Sequence, residues 1–168
     1  LTLFDDDVKP LEKKKEKFTF FCPQRMGIPK GTDILWKALQ FCKSDFQILQ
    51  VDWRDTGTDE ENRTSLRLRD NLPSKVKLIP MIKRKDIPSY YHSCDAVIGN
   101  LRIGSFEYVE LEAIMCKKPV ISFNDKKIKI SVDDKEIESP FIPDTNNPKD
   151  IAQVIDKFVV SDQFRQNI

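Results

Sequence analysis

The sequence predicts an α/β domain with a Rossmann-like, doubly wound, mostly parallel sheet flanked by helices. Short apolar runs alternate with helical-period segments along the 168 residues, the pattern of successive βαβ units. The runs are continuously apolar, as strands covered on both faces require. Glycine and proline stand between the runs, where such units turn.

The first strand is Phe18–Cys22 (FTFFC), rich in β-forming aromatics. Residues 23–31 form a loop punctuated by Gly27, Pro29 and Gly31. A helix follows to about Cys42, with Thr32 or Asp33 as its cap. Ile34, Ala38 and Phe41, with Leu35, Leu39 and Cys42, repeat at the helical period. Phe46–Trp53 is the second strand, and the polar residues 54–72 are loop then helix. Val76–Ile79 is the third strand. Asp86 caps a helix to Cys94, with Pro88 in its first turn. Ala96–Ile98 is the fourth strand, stopped by Gly99. Gly104 opens a helix that ends before Pro119, and Val120–Phe123 is the fifth strand. Residues 124–138 are a charged surface excursion, and Phe141-Ile142 a short sixth strand. Asn147-Pro148 leads into a helix with Ile151, Val154, Ile155 and Phe158 on one face. Residues 1–16, with KPLEKKKEK, read as a solvated interdomain linker. Residues 17–168 then form one domain of a longer protein.

Composition narrows the function. Hydrophobic residues at 39% and charged residues at 33% fit a globular domain with a charged surface. A net charge of +1 carries no signal for nucleic acid. No apolar run is long enough to span a membrane, and the acidic LTLFDDDVKP start has no signal-peptide layout. Cys22, Cys42, Cys94 and Cys116 are scattered without a CxxC pair, so buried free thiols in a reducing, cytoplasmic setting are expected rather than zinc ligands. His92 is the single histidine, read as an exposed helix-end residue, so no histidine-based nucleophile site is expected.

Ligands of such sheets bind outside the carboxyl ends of the strands. Three loops lie there: 23–31, 80–85 and 100–106. In the first, PQRMGIPKG, Arg25 and Lys30 stand between a strand and a helix N-terminus. They suit an anion, Arg25 gripping phosphate bidentately and Lys30 acting as a point charge; a solvated charged loop is the plainer alternative. Neither the P-loop nor the GxGxxG pattern is present. In the helix of GSFEYVELEAIMCKKPVI, the residues Glu107, Glu110, Lys117 and Lys118 form a polar, solvated face. Glu112 lies opposite, among Tyr108, Val109, Met115 and Cys116. A carboxylate there needs donors. It bonds either backbone N–H groups or an internal arginine, or else the paired hydroxyls of a ribose. Gly104 would let the backbone approach a phosphate.

Taken together, these residues resemble the C-terminal, donor-binding domain of retaining glycosyltransferases of GT-B architecture, the glycogen-synthase-like and mannosyltransferase-like group. The resemblance rests on Arg25-x4-Lys30-Gly31, on Val76–Ile79, on the helix ending at Cys94-Asp95, and on Glu112-Ala113-x-x-Cys116-x-Lys118-Pro119-Val120-Ile121. It covers residues 18 to about 160. It implies that Arg25 and Lys30 hold the diphosphate of a UDP- or GDP-linked sugar and assist its departure. It further implies that Glu112 takes the ribose, that N–H groups near Ser105, Phe106 and Glu107 meet phosphate, and that Met81-Ile82-Lys83 lies against the base. No metal or other cofactor is implied, since cations and a helix terminus take up the leaving charge. The acceptor, a glycan or lipid-linked molecule near the cytoplasmic membrane face, would belong to an N-terminal domain; this domain alone would bind nucleotide without turnover. Three positions depart from the pattern: Gly104 stands where the family has a glutamate facing the donor sugar, and Glu107 and Lys117 stand where it has glycines. A sugar-nucleotide 2-epimerase of the same architecture, or a degenerate nucleotide-binding or protein-interaction domain, are the alternatives.

Overall fold

A computed structural model describes residues 4, 8–11, 16–53, 57–105, 107–132, 135–137 and 141–166. Its centre is a parallel sheet of five strands: β1 (Phe18–Cys22), β2 (Phe46–Val51), β3 (Val76–Ile79), β4 (Ala96–Ile98) and β5 (Val120–Ile121), in the order β3-β2-β1-β4-β5. Phe20 pairs with Ile48 on one side and Ala96 on the other, so β1 is central. The chain winds outward through β2 and β3, then returns across β1 to place β4. The switch point therefore falls between β1 and β4. Beyond β5, Phe141-Ile142 is a single parallel bridge, Ile121 to Ile142, rather than a full strand.

Strand alternation divides the core. Phe20 and Cys22 point to the face covered by α1 (Thr32–Leu39) and α5 (Pro148–Val160), where Leu35, Ala38, Ile151, Ile155 and Phe158 are buried. Phe21 points to the other face, with Tyr91 of α3 (Ile87–Ser93) and Ala113 of α4 (Tyr108–Met115). Helix α2 (Asp59–Asp70) begins in a capping box, Thr58 with Glu61, and receives the Trp36 indole N–H on the Leu68 carbonyl. A short α6 (Asp162–Gln166) closes the chain, and β6 (Ile130–Val132) with β7 (Lys135–Ile137) makes an antiparallel hairpin within the charged excursion. Among the described residues no helix is long and apolar enough to cross a membrane.

Several local expectations change. Helix α1 is capped by Gly31 in the left-handed region (φ 73), not by Thr32 or Asp33. Thr32 Oγ1 instead accepts from the Gly27 N–H, and Asp33 pairs with Arg102. Gly31 is doubly constrained, because a Cβ there would also meet Leu101 at 3.0 Å. Asp86 occupies the cap position of α3 without a side-chain bond. Gly104 does not open α4, which begins four residues later behind Glu107. Within residues 1–16, Phe4 is buried and meets Tyr91 edge-on at a centroid distance of 6.0 Å, so this stretch is not wholly solvated. His92 is half-buried rather than exposed. The cysteines are free: Cys22, Cys94 and Cys116 are buried, and burial pushes the Cys22 thiol up to about 12.

The α5–sheet contact sets the stability of this half of the core. Phe158→Ala should cost about 3–5 kcal/mol, whereas Val160→Ala, at an exposed position two residues on, should stay within about 0.5 kcal/mol. Urea denaturation of both variants checks the contrast.

Candidate functional site

The loops leaving β1 and β4 meet at the switch point, where ligands of open parallel sheets bind. Gln24, two residues past β1, donates from Nε2 to the Gly99 carbonyl at the end of β4 (2.8 Å). Its own backbone carbonyl accepts from Gln50 Nε2 of β2 (2.8 Å). Three neighbouring strands are thus tied at their carboxyl ends.

Glu110 anchors the fourth component. Its side chain was expected in solvent, yet the residue is fully buried. Oε1 accepts from the Asn100 N–H (2.8 Å) and the Ser122 hydroxyl (2.8 Å), and Oε2 accepts from the Glu107 N–H (3.2 Å). The buried ends of β4 and β5 offer donors that water cannot reach, and a carboxylate with two oxygens serves them. The expected solvated face is therefore reversed: Lys117 is exposed, Lys118 donates to the carbonyls of His92 and Cys94, and the outer face of α4 carries Tyr108, Leu111, Ile114 and Met115.

This reversal turns Glu107 toward the first loop. Lys30 Nζ lies 2.5 Å from Glu107 Oε1, and Asn100 Nδ2 donates to Oε2 (3.0 Å). Both cations singled out in the sequence, Arg25 and Lys30, line one cleft of about 350 Å³ with Gln24, Trp53, Glu107 and Tyr108. The Arg25 guanidinium sits 5.9 Å from the Trp53 ring centroid. Trp53 also borders a second hollow of about 210 Å³ lined by Pro23, Met81, Ile82 and Arg84. The two hollows form a groove across the carboxyl ends of β1, β2 and β3, cationic toward β1 and apolar toward β3. A further cleft of about 400 Å³ lies behind the first loop, but Glu60 and Glu61 on its wall disfavour an anion.

Glu112 is buried and touches the groove through Arg84. Its Oε1 pairs with the Arg84 guanidinium, and its Oε2 accepts from the Tyr91 hydroxyl (3.0 Å). An arginine therefore satisfies it in this state. Burial first, then the charge of Glu112, holds the Tyr91 phenol well above its ordinary range, so it remains a donor. Arg84 is largely exposed and also lies over the Phe4 ring (4.9 Å), a position from which it can yield to another donor.

The remaining expected contacts fall differently. Gly104 has φ 78, and a Cβ there would meet Asp125 at 2.6 Å, so a side chain at this position is excluded on two grounds. Ser105 is half-buried beside it, Phe106 lies outside the described residues, and the Glu107 N–H is occupied by Glu110. At α1, the Thr32 N–H is bonded to the Gly27 carbonyl and is not offered to a ligand. Sequence reasoning missed Gln24, Asn100, Ser122, Trp53 and Arg84. A Glu-x-x-Glu pair at a helix start was the one local signal for the network, and Glu is an uncommon cap.

A family model, "Glycosyl transferases group 1", matches residues 4–168. The chain belongs to this family. The fold agrees with solved glycosyltransferase structures. HepE from Anabaena, crystallised with UDP and glucose, superposes with a TM-score of 0.66 at 22% identity, over 90% of this chain and 41% of that one. The C-terminal domain of the group 1 protein LpcC from Francisella tularensis gives 0.66 at 18% identity, over 95% and 89%. A glycosyltransferase from Rickettsia africae gives 0.62 at 22% identity, over 86% and 38%. This chain thus spans about two fifths of the Anabaena protein and nearly all of the isolated LpcC domain. Among curated proteins none matches. The group 1 chain has the Rossmann-like fold that the strand–helix pattern predicts, and it matches one half of the GT-B architecture, as the family resemblance implied.

Glu110→Ala leaves the Asn100 and Glu107 N–H groups without their acceptor, while the Ser122 hydroxyl retains the Asn100 carbonyl (2.9 Å). At about 1–3 kcal/mol for each buried unsatisfied group, it should cost about 2 kcal/mol or more in chemical denaturation. Lys117→Ala on the exposed face should be near neutral.

Proposed function

We propose that this domain binds a nucleotide-diphosphate sugar, UDP- or GDP-linked, and forms the donor half of a hexosyltransferase of the mannosyltransferase-like group that acts with retention. The carrying observation is the groove at the switch point, cationic at Arg25 and Lys30 and apolar at Met81 and Ile82, with Trp53 shared between. A nucleotide lies along it with the base at the apolar end and the diphosphate at the cationic end. Glu112 then exchanges Arg84 for the ribose hydroxyls, while Tyr91 keeps its bond to the second oxygen. The complex of HepE with UDP and glucose supports this class of ligand.

In transfer, Arg25 and Lys30 take up the charge that develops on the departing diphosphate, an electrostatic role that requires no metal. The acceptor, a glycan or a lipid-linked molecule, approaches from the open side of the groove and is held by a second domain. Residues 1–16 serve as the connection to that domain, so this chain alone binds nucleotide without turnover. The enzyme works in the cytoplasm, at the membrane face where lipid-linked acceptors are found.

Arg25→Ala and Lys30→Ala should each weaken nucleoside diphosphate binding by roughly 1.5–3 kcal/mol, the range for hydrogen bonds to charged groups. A thermal-shift panel of UDP, GDP, ADP and CMP with their sugar conjugates tests this. A ligand at 100 times its dissociation constant adds about 2.7 kcal/mol of stability. A diphosphate shift that survives both substitutions sinks the assignment. Glu112→Gln should weaken a nucleoside diphosphate while the domain still folds; unfolding with unchanged binding per folded molecule would make Glu112 purely structural.

A further inference from the structure

Glu112 is served by two side chains, and Phe4, far away in sequence, touches both of them. The Tyr91 hydroxyl donates to Oε2, and the Arg84 guanidinium pairs with Oε1. Phe4 lies edge-on to the Tyr91 ring, with centroids 6.0 Å apart, and its own ring lies 4.9 Å from the Arg84 guanidinium. It is 6% exposed and belongs to the apolar core of this face of the sheet. The same stretch of chain meets α3 again at Leu11, whose N–H donates to the Ser93 hydroxyl oxygen (2.6 Å). The two bonds to Glu112 are held unequally. Tyr91 is fully buried, so its hydroxyl has no water to take in exchange for the carboxylate. The Arg84 side chain is 60% exposed, and an ion pair that open to water is worth little. A cation–π contact is of the same size. The Phe4 ring is therefore strong enough to decide whether Arg84 stays on Oε1.

Arg84 lines the apolar hollow and occupies Oε1, so a ribose that takes Glu112 must displace it. We infer that Phe4 is a positioning residue for nucleotide binding: it holds Arg84 on Glu112 and so lowers the affinity of the groove for a nucleoside diphosphate. This inference rests on the reading of Glu112 as the ribose acceptor. The contact ties the groove to the stretch of chain along α3. By linkage, a nucleotide that draws Arg84 away weakens the seat of Phe4, and whatever lifts Phe4 from Tyr91 tightens nucleotide binding by the same factor.

The test is calorimetric titration of the full chain with UDP, GDP and inorganic pyrophosphate. Arg84→Met should tighten nucleotide binding about fivefold and Phe4→Leu about threefold, the scale of an exposed ion pair and of a cation–π contact. Leucine keeps the apolar bulk and removes the ring face. Pyrophosphate has no ribose, so its affinity should not move in either variant. The double variant should bind no tighter than Arg84→Met, because Phe4 acts through Arg84. Nucleotide affinity that is unchanged or lower in Phe4→Leu, or a gain that adds in full to that of Arg84→Met, overturns the inference. Hydrogen exchange on the unmodified chain decides the matter if Phe4→Leu does not fold. Saturating nucleotide should speed exchange of the Leu11 N–H about threefold, the same coupling seen from the other side, and pyrophosphate should not; an equal or slower rate with nucleotide overturns the inference. Glu112→Gln separates the two readings. A loss of nucleotide affinity there with none of the expected Phe4 and Arg84 effects overturns this inference alone. Nucleotide affinity unmoved by Glu112→Gln overturns the ribose reading and this inference with it.

Discussion

A carboxylate sealed from water organises this domain. Glu110 must find its hydrogen bonds inside the protein, and it finds them at the carboxyl ends of β4 and β5 and at its own helix start. Gly99 makes the room: a Cβ at that position would lie 2.2 Å from Glu110 Oε1. With Glu110 fixed, α4 can take only one rotation about its axis. That rotation buries Ala113, brings Glu112 to Tyr91, and delivers Glu107 to Lys30. The groove is therefore a by-product of satisfying backbone donors at the switch point.

The architecture was legible in the sequence because burial on both faces leaves an unambiguous mark. Phe18–Cys22, Val76–Ile79 and Ala96–Ile98 stand in the structure with the predicted bounds. Phe18–Cys22 and Ala96–Ile98 carry that mark, whereas the edge strand Val76–Ile79 buries only Val76 and exposes Lys77, and it is placed by the strand–helix alternation that makes the sheet parallel. Arg25 and Lys30 were legible for a different reason: two cations after a central strand fall at its carboxyl end whatever the loop does.

Helix α4 was misread because periodicity assigns polar residues to water by default. Within residues 107–118, Glu110, Glu112 and Lys118 serve the interior, while Lys117, Tyr108 and Leu111 face out. A helical wheel weighs side-chain polarity and cannot see the unpaired N–H groups of a distant strand end, which decide this helix's orientation. The cap of α1 was missed on the same account. Thr32 has the chemistry of a cap, but its hydroxyl was already committed to the Gly27 N–H. The excursion at 124–138 contains the β6–β7 hairpin, which its charge concealed.

The placement of the tryptophans separates two optical reporters. The chain has two. Trp36 is buried, with its indole N–H bonded to the Leu68 carbonyl, and it senses whether α1 and α2 remain docked. Trp53 is 44% exposed at the junction of the two hollows, under the Arg25 guanidinium. A soluble quencher should thus silence one emitter and spare the other. Anything seated in the groove would shield the first without touching the second, so occupancy and unfolding are distinguishable in a single unlabelled sample.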